Sequence, residues 1–356
     1  MPTRFTASVV GAGTGGRLSI QALQASDRFD LTAVTDIGDD ARAAVEASHQ
    51  GVRTFPSHRA MFKECPTDIV CISTWPPSHL EVTRDALGLP LKGLLLEKPL
   101  ADTHRDGLEA LDLIRNRCLP VVVPHGLLVA DHARQILDCV HNGEIGDLKL
   151  ISIECSGWDI INAGIHWLNF AVTLLGSDPF EWVLAACDTG SRTYRDGVQV
   201  ETAAVTYAQT AAGVRVVMHT GDYVTLSSGE SGTLFRLVGT DGQIDFHGWA
   251  PSYRIQNAAH PGGLKVDVPP GPAGGHQRHL EALADQIDSG RPDYALPESS
   301  LAALELVEAA YVSSRYRSVV TLPLSDFEPP TPTDWDPGRP YSNQGGGRDG
   351  RNLPPL

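Results

Sequence analysis

Residues 5–16 read Phe5-Thr-Ala-Ser-Val-Val10-Gly11-Ala-Gly13-Thr14-Gly15-Gly16, a short apolar run that ends in GxGxxG and passes directly into a helical pattern. That order of strand, glycine loop and helix is the context in which the motif carries meaning. Gly11 permits a tight turn, Gly13 lets the backbone approach a pyrophosphate, and Gly16 allows the helix to pack closely on the strand. Thr14 and Gly15 complete the loop, and the helix N-terminus offers unpaired N–H groups to phosphate. The second strand, LTAVTD, ends at Asp36. A carboxylate there accepts both hydroxyls of an adenosine ribose and repels a 2′-phosphate, so NAD is expected ahead of NADP, with Arg17 and Arg42 the residues that would favour NADP. A helix-capping role is the structural alternative for Asp36.

Working outward, β-branched runs near 5–10, 30–35, 68–73, 93–97 and 120–123 alternate with helical patterns at 16–26, 39–48, 78–87 and 104–117. This alternation predicts a doubly wound parallel sheet over 1–123. Beyond about 148 longer strands are joined by turn tripeptides, AAG at 211–213 and TDG at 240–242, which predict hairpins. A helix over 162–175, a helical pair at 276–289 and 298–315, and a last strand VVTLPL complete the pattern. The fold class is thus α/β plus α+β: an N-terminal Rossmann domain over 1–123, and a mainly antiparallel sheet domain over 124–327. Residues 328–356 hold seven Pro and five Gly, too many for a packed element, and read as either a disordered segment or an extended arm, of which Trp335 and Tyr341 favour a docking arm.

A net charge of −15 without a basic cluster argues against nucleic acid. No apolar run approaches the roughly 18 residues that span a bilayer, no export signal is visible, and the six scattered cysteines read as reduced thiols, so a cytoplasmic protein is expected. The histidines are too dispersed for a metal site; His132 and His141 are expected to face solvent.

Two strand ends lie on the cofactor edge of the first sheet. Residues 68–79, DIVCISTWPPSH, place Thr74, Trp75, Pro76 and His79 there, and 93–100, GLLLEKPL, place Glu97, Lys98 and Pro99. Lys98 precedes a proline, which biases it from helical geometry and makes a cis bond possible. An ammonium fixed beside a nicotinamide is useful for stabilising an alkoxide.

The opening glycine motif, the Glu97-Lys98-Pro99 triplet, the stretch Gly143-Glu-Ile-Gly146 and a later Gly164-Ile-His166 resemble the glucose-fructose oxidoreductase, inositol dehydrogenase and rhizopine catabolism (Gfo/Idh/MocA) family. The resemblance implies a nicotinamide-dependent oxidoreductase acting on a carbinol of a sugar, sugar acid or cyclitol. It implies that the sheet of 124–327 is open-faced and serves substrate binding and oligomerisation, with dimers or tetramers packed through it. It implies that Lys98 and His166 flank the reacting hydroxyl, with His166 as the base. The family's aspartate four residues before the histidine is replaced here by Asn162, whose amide can orient the imidazole but adds no charge, so His166 is expected to be less basic than its counterparts. His125, Trp158 and Asp159 are the substrate-side candidates: Trp158 to stack on a sugar face, Asp159 to accept hydroxyl hydrogen bonds, with capping or domain-interface roles as alternatives. Two other functions share these residues: redox-neutral glycoside cleavage or epimerisation through transient oxidation by bound NAD, and a non-catalytic NAD or metabolite sensor.

Overall fold

A computed structural model of the protein describes residues 4–190, 193–226 and 232–329, so the arm expected over 328–356 lies outside the described residues from position 330 onward. The chain forms two units: residues 1–129 with 272–301, and residues 130–271 with the chain from 302.

The first unit alternates β1 (Phe5–Val10), α1 (Thr14–Ala25), β2 (Phe29–Thr35), α2 (Asp39–Ser48), β3 (Arg53–Phe55), α3 (His58–Glu64), β4 (Ile69–Ile72), α4 (His79–Ala86), β5 (Gly93–Leu96), α5 (His104–Arg115) and β6 (Val121–Val122). Its six strands are parallel in the order β3-β2-β1-β4-β5-β6. This is the doubly wound arrangement that the alternating pattern predicts. β4 and β5 are buried along their whole length, as unbroken apolar runs covered on both faces must be. β3 and α3 were not expected: three residues, Arg53-Thr-Phe55, are too few to show a period, and the seven-residue helix is announced only by Ser57, whose hydroxyl caps it by accepting the Ala60 N–H.

The second unit begins with α6 (Asp131–His141), β7 (Leu148–Ser156) and α7 (Ile165–Leu175). β8 (Phe180–Asp188), the hairpin β9 (Thr193–Arg195) and β10 (Val198–Val200), β11 (Ala203–Thr210) and β12 (Arg215–Gly221) follow. Then come β13 (Thr233–Gly239), β14 (Gly242–Phe246), β15 (Ser252–Asn257) and β16 (Leu264–Asp267); the chain next forms α8 (Gly275–Ser289), which belongs to the first unit, α9 (Ala295–Tyr316), whose residues from 302 belong to the second, and β17 (Val320–Thr321). Nine strands form one sheet, β16-β15-β14-β13-β7-β12-β11-β8-β17, in which only the β7–β12 pair is parallel. The 211–213 turn closes the β11–β12 hairpin on Gly213, whose φ of +82° suits glycine. Alternate residues bury one face, including Val183, Ala185, Val216, Met218, Ile151 and Ile153, and leave Leu184, Val205 and Tyr207 on the other. On the buried face α7 lays Trp167 on Phe235 and Phe170 on Phe246, with ring centroids 5.5 Å apart in each pair, while Phe235 and Phe246 stack at 4.4 Å.

The units are not the contiguous domains expected. α8 was assigned to the second domain, but its Leu280, Leu283 and Ala284 are buried in the core of the first with Phe5, Val9, Ile20, Leu23 and Leu95. An amphipathic period shows that a helix buries one face and does not say against which sheet. β5 accommodates the returning helix through Gly93, where a Cβ would stand 3.0 Å from the Leu283 side chain. Truncating Leu283 to Ala is therefore expected to destabilise the protein by about 2–5 kcal/mol, measured by denaturant unfolding; a change below about 1 kcal/mol would contradict the helix's place in that core.

Candidate active site

The glycine loop after β1 is shaped by backbone crowding. Gly11 has φ +94°, and a Cβ on it would stand 2.5 Å from the Ser73 carbonyl oxygen; one on Gly16 would stand 1.9 Å from the Gly11 carbonyl oxygen. Neither position admits a side chain. Gly13 is the opposite case, with nothing within 4 Å of its absent Cβ, and it caps an α1 whose first turn carries no acidic residue and no side-chain cap. An exposed, uncapped helix start beside an open glycine is a cradle that fits a pyrophosphate. Asp36 accepts the Ala12 N–H through Oδ2 and the Gly38 N–H through Oδ1, both at 2.8 Å, which fixes the carboxylate at the end of β2 while each oxygen keeps further acceptor capacity. Arg42 reaches the Asp36 carbonyl at 2.7 Å and pairs with Asp39.

The residues expected after β4 and β5 serve different ends. Thr74 accepts a hydrogen bond from Ser78 at 2.7 Å, Trp75 is 64% exposed, and Pro76 is buried. His79, expected at the cofactor, is fully buried, with its two ring nitrogens each 2.9 Å from a carbonyl oxygen, of Pro99 and of Thr74; it ties the two turns together. Lys98 is half-buried and the Lys98–Pro99 peptide is cis. Glu97 is buried, and its Oε1 lies 2.7 Å from Nε2 of His276, a residue of α8. Burial drives the Glu97 carboxyl upward, but the hydrogen bond and charge of His276, with Lys98 and His79, outweigh it and hold the group below the usual glutamate range. No short motif announces His276; it reaches Glu97 only because α8 returns to the first unit. His125, expected to meet substrate, is fully buried with Nε2 2.8 Å from the Ser300 hydroxyl. Burial and then the nearby Lys98 charge push it well below the usual histidine value, so it is neutral at physiological pH.

In the second unit, the helix expected over 162–175 starts at Ile165, preceded by a wider turn at Ile160–Gly164 in which the Gly164 N–H reaches back five residues to the Asp159 carbonyl at 3.1 Å. Two buried carboxylates hold that turn. Asp159 Oδ1 accepts the backbone N–H and the side-chain amide of Asn162, at 2.8 and 2.9 Å, and Oδ2 pairs with Arg195 at 2.6 Å. Asp159 is thus the cap of the turn rather than an open acceptor. Glu201 accepts the Ile160 N–H and the Tyr311 hydroxyl, each at 2.7 Å. Trp158 is half-exposed, and the Arg195 guanidinium lies over its ring at 4.5 Å, on a face expected to meet a sugar. His166 is half-buried, with its ring edge-on to Trp249 at 5.6 Å. His132, expected in solvent, is buried and within 2.9 Å of the Gly248 carbonyl, whereas His141 is exposed.

Family models agree with this geometry. Residues 5–125 match the oxidoreductase family with an NAD-binding Rossmann fold, and residues 154–322 match the C-terminal alpha/beta domain of the same family, Gfo/Idh/MocA. The protein is a Gfo/Idh/MocA family member. Like the rhizopine catabolism protein MocA of Rhizobium meliloti, it carries the family pattern, at 26% identity over 52% of this chain and 62% of that protein. It is similar to inositol 2-dehydrogenase 3 of Saccharopolyspora erythraea at 34% identity over 29% of this chain and 30% of that one. The match thus spans less than two thirds of either relative. The fold is also that of the aldose-aldose oxidoreductase of Caulobacter crescentus, solved with glycerol, with a TM-score of 0.75 and 17% identity over 90% of this chain and all of that one. Residues 5–125 of this family member are thus an NAD-binding Rossmann domain, and the cradle formed by Gly11, Gly13 and Gly16 has a shape that fits a dinucleotide. Among the described residues, no helix is long and apolar enough to cross a membrane.

The buried carboxylate behind the histidine turn has a pH signature. Burial raises the Glu201 carboxyl above the usual glutamate range despite the Tyr311 and Ile160 hydrogen bonds, and the Asp159 charge adds to the rise. An acid raised on folding binds more protons folded than unfolded, so its cost to stability grows as pH rises from the unfolded value of about 4.3 through the folded one and is complete above it. Glu201→Gln removes that cost. Its melting temperature is expected to gain on the wild type as pH rises across this window; a difference that does not change with pH would contradict the assignment.

Proposed function

We propose that the protein is an NAD-dependent dehydrogenase that oxidises, reversibly, a carbinol of a sugar, sugar acid or cyclitol. The observation that carries this reading is the Glu97-Lys98-Pro99 turn: a half-buried lysine directly after Glu97, whose carboxylate rests against a glycine cradle fit for a dinucleotide, in a family of oxidoreductases. The substrate class is supported by relatives that act on inositol and on aldoses. NAD is preferred over NADP because the fixed Asp36 carboxylate favours ribose hydroxyls over a 2′-phosphate.

When bound, nicotinamide supplies the two-electron chemistry by accepting hydride from the carbinol carbon. The chain's own residues manage the proton. Lys98 stabilises the developing alkoxide as a fixed cation, in a neighbourhood where His125 is held neutral and so adds no second positive charge. His166 takes the hydroxyl proton as general base. Asn162 donates its side-chain amide to Asp159 and keeps its carbonyl oxygen as the acceptor that would orient the histidine. Lys98→Met is expected to lower kcat by about 100-fold or more while leaving the dissociation constant for NAD within about threefold; near-normal turnover would remove Lys98 from the mechanism.

A second copy of this chain is the proposed partner, seated on the open face of the second sheet. Trp182 and Tyr207 stack there at 5.2 Å, beside Leu184 and Val205, which are 44% and 45% exposed. A charge at the centre of such a patch opposes burial. Leu184→Asp is expected to halve the mass measured by light scattering, and an unchanged mass would place the contact elsewhere.

A further inference from the structure

The first unit holds a buried hydrogen-bonded pair, Glu97 and His276, that the proton chemistry above leaves unused. Glu97 is 7% exposed, and its Oε1 is 2.7 Å from His276 Nε2. That same oxygen lies 3.1 Å from the point where a Cβ on Gly15 would stand, so the carboxylate rests directly against the glycine loop. A dinucleotide brings the two negative charges of its pyrophosphate to this loop. A buried carboxylate beside an arriving anion is costly unless a partner compensates it. Lys98 contributes positive charge to the neighbourhood, His79 is a buried imidazole whose burial favours its neutral form, and the buried Cys71 thiol of β4 is coupled to the Glu97 charge. His276 makes a direct hydrogen bond to the carboxylate oxygen, and it comes from α8, outside the Rossmann sequence itself.

We propose that His276 is a positioning residue for the dinucleotide. Its Nε2–H, donated to Glu97, holds the carboxylate against Gly15 and satisfies its oxygen with a hydrogen bond, so that the loop accepts a pyrophosphate. The proposal rests on the dinucleotide reading of the first unit and deepens it, by making part of that site depend on a helix some 180 residues further along the chain, an interval of 179 positions between Glu97 and His276.

The test is a fluorescence titration of the full chain with NAD and, separately, with adenosine, which lacks the phosphates. His276→Leu is expected to weaken NAD binding by about tenfold or more, because it leaves a buried carboxylate without its partner. His276→Gln keeps an N–H donor and should stay within about threefold of the wild type. Combining His276→Leu with Glu97→Gln removes the uncompensated charge and should restore NAD binding to within about threefold. Adenosine affinity should be the same in all of them. Wild-type NAD affinity in His276→Leu, a double variant no better than the single one, or an equal loss for adenosine would each overturn the proposal. If His276→Leu does not fold, His276→Asn, too short to reach Glu97, carries the same comparison. A wild-type chain that binds no dinucleotide overturns the cofactor reading itself, an outcome distinct from failure of the variants.

Discussion

Crowding of backbone on backbone at the end of β1 is the constraint on which the first unit depends. The Gly11 carbonyl occupies the space a Gly16 side chain would need, and the Ser73 carbonyl does the same to Gly11. Helix α1 is thereby pressed onto the sheet with its N-terminus at the strand ends, and Gly13 is left looking onto open space. A single methyl group at either crowded position would displace β1, α1 or the backbone that follows β4 at Ser73. The anion site is thus a consequence of how the strand meets the helix, not an addition to it.

The second unit solves a related problem with charge. The turn before His166 is wider than an α-helical turn, and its N–H groups are collected by Asp159 and Glu201, two carboxylates almost wholly removed from water. Arg195 compensates the first and the Tyr311 hydroxyl supports the second. Where most of the family is expected to carry an aspartate, the chain has Asn162, and the acid that binds its amide stands three residues earlier at Asp159. The carboxylate of this turn is therefore the cap, Asp159, where Arg195 compensates it.

Much of this was legible in the sequence because it rests on local pattern. The β1 glycine loop, the apolar runs of β4 and β5, the Gly213 turn and the Glu97-Lys98-Pro99 triplet are each specified by residues adjacent in the chain. What was not legible depends on long-range packing or on elements too short to show a period. β3 and α3 are of the second kind; α8 and His276 are of the first, since the helical period of 276–289 fits either sheet. His79, His125 and His132 illustrate the same limit: sequence marks them as titratable residues near strand or helix ends, and only the fold reveals that all three are buried against hydrogen-bonding partners. Trp158 and Asp159 read as substrate groups until the β9–β10 hairpin delivers Arg195 to both.

The central claim is that these residues oxidise a polyol carbinol with bound NAD. The most direct measurement is the absorbance of reduced nicotinamide when the purified protein is mixed with NAD and, one at a time, sugars, sugar acids and cyclitols. The account predicts a steady, enzyme-dependent rise with at least one of these compounds, larger with NAD than with NADP. Tight binding of NAD with no reduced cofactor formed from any of them would contradict it.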